Sequence, residues 1–377
     1  MMRRLSKSAL IAMKKLNDKG YEAFVVGGAI RDLLLNKKVY DYDIATNADP
    51  NAIKMVFEDF VKYDVGKKHG TVSILIDKDK IDITPYRKEA DYKDHRHPDQ
   101  IAFSNDLLED LSRRDFTINA LCMDKDRNVI DHFDGIDDLN NRLIRSIGDP
   151  DRRFNEDALR ILRAIRFKAK LDFEIEEKTN RSIHRNKDLL TFISPERKKD
   201  ELLKILSSRS AFKLINEYID VFGTFMPFGR TIRKINNFLD PFYALAFLLK
   251  DKEVDLKSLK YSNDEARLIK ILQNSMNINI ENDCEFIETL SCGQQKDILR
   301  FLEEYHHKDL SERYRKLKRY MVTIDDLKIS GQEIRSYGYS GKQIGKVKQQ
   351  LLELVHRKKL NNTSYCLNKY LRENVVE

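Results

Sequence analysis

The stretch GGAIRDLLLNKKVYDYDIAT, residues 27–46, decides how the first part of this chain is read. It follows AFVV at residues 23–26, an apolar run of buried-strand type, and its Gly27-Gly28 pair opens what reads as a helix over residues 29–35. A strand that turns through glycine into a helix exposes backbone N–H groups at the helix start. A phosphate can approach closely there, and the helix dipole favours its charge. Arg31 lies one turn into that helix, within reach of the same anion. A tight turn would explain the glycines alone. The weight comes from Asp41-Tyr42-Asp43, because residues i and i+2 of a strand point to one face. Two carboxylates side by side repel unless a cation lies between them. A divalent metal removes the repulsion, and two metals can clamp an attacking hydroxyl and a leaving group. Asp82, in IDIT on a later strand, is a candidate third carboxylate. An exposed acidic turn would explain the DYD triplet alone, but it leaves GG-x2-R unexplained.

Working outward, residues 9–16 read as a helix, and residues 71–76 (TVSILI) and 80–84 as strands joined by the turn Asp77-Lys78-Asp79. Residues 128–133 are a further strand candidate. Gly148-Asp149-Pro150 marks a joint, beyond which helical periodicity dominates nearly to the end. The chain has 377 residues, more than one ordinary core holds, so several domains are expected.

Lys and Arg outnumber Asp and Glu by 32 to 30 in residues 1–170 and by 37 to 31 beyond, so the net charge of +8 sits mainly in the helical part. That bias suits a polyanion such as RNA, and a solvated helical surface accounts for it equally well. The cysteines Cys122, Cys284, Cys292 and Cys366 form no CxxC pair, which speaks against a zinc or redox motif and fits a reducing cytoplasm. The longest apolar run, residues 242–249, is too short to span a bilayer, so no membrane partner is expected.

RRDFTINAL, residues 113–121, places two arginines beside an aspartate at a helix start; it could grip phosphate and ribose or simply be a salt-bridge cluster. RRFNEDALRILRAIRF, residues 152–167, carries an apolar helical stripe of Ala158, Ile161, Leu162 and Ile165 that continues to Ala169. On another face Asp157, Arg160, Arg163 and Arg166 follow at i+3, so a continuous helix would make Asp157 and Arg160 neighbours. An Asp acceptor beside an Arg donor complements the base edges of cytosine and adenine, which offer an exocyclic amine beside a ring acceptor; uracil and guanine reverse that order. An intrahelical ion pair is the competing reading.

Taken in order, GGAIRD, DYDIAT, RRDFTINAL, FDGIDDL and EDALRILRAIRF resemble the motifs of the class II CCA-adding enzymes, the tRNA nucleotidyltransferases of the polymerase-β superfamily. The resemblance is dense from about residue 20 to 170, and IGKVKQQLLELVHRKKL is similar to the family's tail. It implies an α/β nucleotidyltransferase head with a small mixed sheet, followed by an all-α neck, body and tail. The expected boundaries are 1–150 for the head, 151–195 for the neck with the nucleotide-selecting helix, 196–310 for the body and 311–377 for the tail. It further implies Mg2+ on Asp41 and Asp43, with Asp82 as a further catalytic carboxylate. Gly28 and Arg31 would hold the triphosphate region, Arg114 the nucleotide, and Asp115 would lie near its ribose. Asp157 and Arg160 would act as a protein template for C and A, with Arg163 and Arg166 adding phosphate or base contacts. The implied substrates are CTP, ATP and the acceptor arm and 3′ end of tRNA, in the cytoplasm, with room for a homodimer.

Two positions depart from the family pattern: Pro85 stands where Thr is expected, and His97 where Arg is common. Both flank or enter a charged loop, residues 87–100, that CC-only relatives lack. His306-His307 lack the downstream His and Asp of a phosphohydrolase domain and read as a surface pair. A poly(A) polymerase or A-adding enzyme of the same family is the nearest alternative; a catalytically inactive RNA-binding homologue is another, against which intact Asp41 and Asp43 argue.

Overall fold

The computed structural model describes residues 5–63, 70–77, 79–88, 102–229, 238 and 240–374. The chain divides into two compact units, residues 1–230 and 231–377.

The first unit opens with α1 (Lys7–Asp18), capped by the Ser6 hydroxyl, which accepts from the Ala9 N–H at 3.1 Å. Its Ala9, Ala12, Met13 and Leu16 are buried. Then come β1 (Ala23–Val26), α2 (Gly28–Leu34), β2 (Tyr42–Thr46), α3 (Pro50–Val56), β3 (Lys62–Tyr63), β4 (Val72–Ile76), β5 (Asp79–Pro85), β6 (Arg87–Lys88) and β7 (Ala102–Phe103). After them follow α4 (Leu107–Ser112), β8 (Cys122–Met123), β9 (Val129–Ile130), α5 (Gly135–Asn140) and β10 (Leu143–Ile144).

Seven strands form a mixed sheet in the order β3-β4-β5-β2-β1-β8-β9. Only β2 and β5 run parallel within it, and their register sets Asp43 directly beside Asp82. The β4–β5 hairpin turns at Asp77 (φ +47°), with Ile76 opposite Asp79, as the sequence suggested.

One expected strand shrinks. Residues 128–133 keep only Val129–Ile130 in the ladder, because the Asp131 carboxylate accepts from the backbone N–H groups of Phe133, Gly135 and Ile136. The side chain satisfies the Phe133 N–H that pairing would have used and the open N–H groups at the start of α5.

The helical part of this unit comprises α6 (Pro150–Glu156), α7 (Leu159–Leu171), the short β11 (Glu174–Ile175), α8 (Glu177–Arg185), α9 (Pro195–Leu206), α10 (Ala211–Glu217) and α11 (Ile219–Phe222). Asp149 caps α6 through the Asp151 and Arg152 N–H groups, with Pro150 at the first helical position. The continuous helix expected over residues 152–167 is broken: Asp157 is extended (φ −143°, ψ 101°) and separates α6 from α7. The apolar stripe is nevertheless buried at Ala158, Ile161, Leu162 and Ile165 and half-buried at Ala169.

The second unit is helical: α12 (Pro241–Leu248), α13 (Asn263–Ser275), α14 (Asp283–Leu290), α15 (Gln295–His306), α16 (Ser311–Leu317), α17 (Gly331–Ser336), α18 (Lys342–His356) and α19 (Ser364–Asn374). Its core holds stacked rings, with Phe301 5.3 Å from Phe238 and 5.8 Å from Tyr305. Ser262 with Glu265, and Ser330 with Glu333, close capping boxes on α13 and α17. Among the described residues no helix is long and apolar enough to cross a membrane.

Candidate functional site

A cleft of about 430 Å3 in the first unit gathers side chains from segments far apart in sequence. Its floor is the β1–α2 turn. Gly27 sits at φ +70°, a conformation that favours glycine, and a Cβ there would lie 2.8 Å from the Arg114 guanidinium, which would have to shift. Gly28 begins α2 beside the Arg31 guanidinium. Arg31 is buried, donates to the Asn119 side-chain oxygen at 2.7 Å and pairs with Asp32 at 2.8 Å.

Asp43 lines the cleft and Asp82 stands beside it in register. Asp41 is exposed and immediately precedes β2 rather than lying within it. Although Asp43 keeps solvent exposure, protein crowding and the Asp82 charge raise its carboxyl above the usual range, against the pull of Arg114. Asp82 already accepts from the Ser73 hydroxyl and from Lys80 at 3.0 Å. Among the described residues no three His, Cys, Asp or Glu side chains converge as a metal cage. Mg2+ does not need one: it is usually held by one or two carboxylates plus substrate phosphates and water. The crowded, like-charged carboxylates fit that donor set.

Asp110 organises the arginines of RRDFTINAL. Its buried carboxylate takes Arg113 at 2.5 Å and Arg114 at 3.1 Å. Burial opposes its charge, yet the two guanidiniums keep its carboxyl below the usual range. Asp115 accepts from Asn119 at 2.9 Å and from Arg163 at 2.6 Å. Burial again opposes, but Arg163 and Asn119 hold this carboxyl down to about 2.

On α7, the Arg160 guanidinium is buried and fixed on backbone carbonyls of Arg153 (2.9 Å) and Arg113 (2.9 Å) and on Glu156 (2.8 Å). Arg166 pairs with Glu201 at 2.6 Å. Phe167 forms a post among three guanidiniums, with Arg166 at 4.3 Å, Arg31 at 5.2 Å and Arg163 at 5.6 Å from its ring centre. Asp157 does not pair with Arg160; Arg197 of α9 holds it.

The cleft therefore brings Gly28, Arg31, Asp43, Arg114, Asp157, Arg160, Arg163 and Arg166 together, while Asp41 and Asp82 lie outside its lining. Sequence reasoning did not single out Asn119, Phe167, Lys170 or Arg197, which line it too. Asn119 and Phe167 lie inside quoted motifs, but neither carries a charge to mark it. The charged-loop expectation falls mostly on residues 89–101, including His97, which lie outside the described residues. Pro85 ends β5 opposite Thr46. In the second unit the basic residues Arg313, Arg315, Lys316, Lys318 and Arg319 stand close together in sequence; Arg313 bonds Asp283, and Lys316 pairs with Glu312 at 2.7 Å.

A mixed sheet with carboxylates on adjacent strands, a glycine turn into a helix and a cationic cleft defines a polymerase-β-like nucleotidyltransferase head. The family described as "Poly A polymerase head domain" matches residues 23–145, and that described as "Probable RNA and SrmB- binding site of polymerase A" matches residues 172–220. The CCA-adding enzyme of Lactobacillus helveticus is 33% identical over 97% of this chain and 96% of its own length. That of Lactobacillus gasseri is 48% identical, but over 56% of this chain and about half (53%) of its own length. The Bacillus stearothermophilus CCA-adding enzyme, solved with CTP, superposes with a TM-score of 0.79 at 25% identity, covering 97% of this chain and 96% of that one. The chain belongs to the family of CCA-adding enzymes.

Proposed function

We propose that this chain adds CCA to the 3′ end of tRNA without a nucleic-acid template, using CTP and ATP and releasing pyrophosphate. The observation that carries the reading is the cleft itself: Asp43, with Asp82 beside it in register, a glycine turn for phosphates, and Asp157 and Arg160, an acceptor and a donor suited to C and A, come together at one space.

In this reading the terminal hydroxyl oxygen of the RNA bonds to the α-phosphorus while the bond to the β-phosphate oxygen breaks and pyrophosphate leaves. Asp41 and Asp43 would hold Mg2+, which supplies charge neutralisation and activates the hydroxyl when bound. Asp82 keeps Asp43 crowded with negative charge. The Gly28 turn and Arg31 would position the triphosphate, and Arg114, with Asp115 nearby, the nucleotide. Arg163 and Arg166 add positive charge along the phosphates or base. Arg160, immobilised on its three acceptors, would donate to the base, and Asp157 would accept from the exocyclic amine. Preorganised donors and acceptors select without paying for rearrangement.

Residues 1–150 would be the catalytic head, 151–195 the neck, 196–310 the body and 311–377 the tail, the helical parts holding the tRNA acceptor arm by shape and backbone charge. A reducing cytoplasmic setting is part of the proposal, supported by the wide spacing of the four cysteines in the sequence. The "Poly A polymerase" description of the matched head also favours a second reading, A-tailing by the same cleft. Incubating the protein with Mg2+, tRNA lacking its 3′ CCA and each NTP singly or in pairs, then sequencing the products, decides between them. CCA ends support the proposal, while an oligo(A) tail or no extension contradicts it.

A further inference from the structure

The cleft is lined by seven cationic side chains against three carboxylates. Nearly all of the cations are committed. Arg31 pairs with Asp32, Arg114 with Asp110, and Arg160 with Glu156. Arg163 pairs with Asp115, Arg166 with Glu201, and Arg197 with Asp157. Lys170 differs: it is exposed in the cleft and has no ion-pair or hydrogen-bond partner among the described residues.

Position gives this free ammonium a chemical meaning. Lys170 stands near the C-terminal end of α7, on the face that carries Arg163 and Phe167 at seven and three residues before it. Arg160 lies ten residues before it, or about 15 Å along the helix axis. If the base is read beside Asp157 and Arg160, a nucleotide extending along α7 carries its phosphates toward Lys170. Arg31, the phosphate-side residue of the glycine turn, lies at that end, against Phe167. Although Lys170 keeps solvent exposure, protein crowding and the charges of Arg31, Arg166 and Lys37 lower its readiness to hold its proton, against the pull of Asp32. A polyanion placed among these cations would relieve that repulsion.

Building on the nucleotidyl-transfer reading, we infer that Lys170 is a binding residue for the β,γ-phosphates of the incoming nucleotide, the part that leaves as pyrophosphate. As a point charge on a flexible stem, it can follow a phosphate group without demanding one bidentate geometry.

The test is titration of CTP and of CMP, with Mg2+ and without tRNA, into the parent protein and into Lys170→Ala and Lys170→Arg. The expected result is a roughly 5- to 20-fold weaker CTP affinity for Lys170→Ala with CMP affinity unchanged, and near-parent CTP affinity for Lys170→Arg. In steady state the same Ala variant should need correspondingly more inorganic pyrophosphate for product inhibition. Equal loss of CTP and CMP affinity, or no loss of either, overturns the inference. A parent that binds no CTP overturns the nucleotidyl-transfer reading itself, and this inference with it.

Discussion

Arg197 grips both carboxylate oxygens of Asp157 across 40 residues of sequence: Nη1 lies 3.3 Å from Oδ1 and Nη2 lies 2.9 Å from Oδ2. The intrahelical Asp157–Arg160 ion pair suggested by their spacing does not form, because the chain is extended at Asp157 and Arg160 turns to Glu156. The two residues proposed to read the base are thus separately anchored. Arg197→Ala should release Asp157 and reduce the preference for CTP over UTP roughly 3- to 10-fold, with turnover retained. Single-nucleotide incorporation rates check this, and an unchanged CTP preference would return Arg197 to a purely structural role.

Gly27→Ala should harm both fold and site. Its φ of +70° is unfavourable for a residue with a Cβ, and that Cβ would press on Arg114. A stability loss of about 1–2 kcal/mol is expected. Displacement of Arg114 should also raise KM for the nucleotide, read by urea unfolding and by initial rates at varied CTP. A parent-like KM in the folded variant would detach Arg114 from nucleotide binding.

Asp115 makes a pH-dependent contribution. Its folded carboxyl titrates at about 2, below the unfolded value of roughly 3.9. A depressed carboxyl stabilises fully above the unfolded value, and the contribution fades as pH falls through about 2. Asp115→Asn should therefore lose roughly 2 kcal/mol at pH 7 and less near pH 3. Urea denaturation at the two pH values checks the difference; an equal loss at both would remove the charge-based explanation.

Replacing Asp43 or Asp41 by Ala should abolish nucleotide transfer while tRNA still binds. Charge stabilisation lost with the metal is worth several kcal/mol, or a factor of at least about 1000 in rate. Extension near the parent rate by either variant would remove that residue from the metal site.

Much of this was legible because it is local. The AFVV strand, its glycine turn and the stripe of α7 each follow from short-range periodicity and turn chemistry. The Asp43–Asp82 neighbour relation was only a candidate in sequence, since it depends on the parallel β2–β5 register. Three features had no local signal. The break at Asp157 falls inside an unbroken helical pattern, and its Arg197 partner lies on another helix. Asp131 captures the Phe133 N–H that a strand would have used, together with the first two N–H groups of α5. Lys170 carries no motif signal, and only the fold places it at a cleft.

The central claim is that side chains, not a nucleic-acid template, choose the base. It is tested most directly by competing all four NTPs for addition to tRNA lacking its 3′ CCA, with folded Asp157→Ala and Arg160→Ala beside the parent. Each base-edge contact discriminates by roughly 1–3 kcal/mol, so either variant should keep transfer activity but incorporate UTP or GTP at about 5- to 100-fold higher relative rates. If both variants still select C and A as sharply as the parent, Asp157 and Arg160 are not the template.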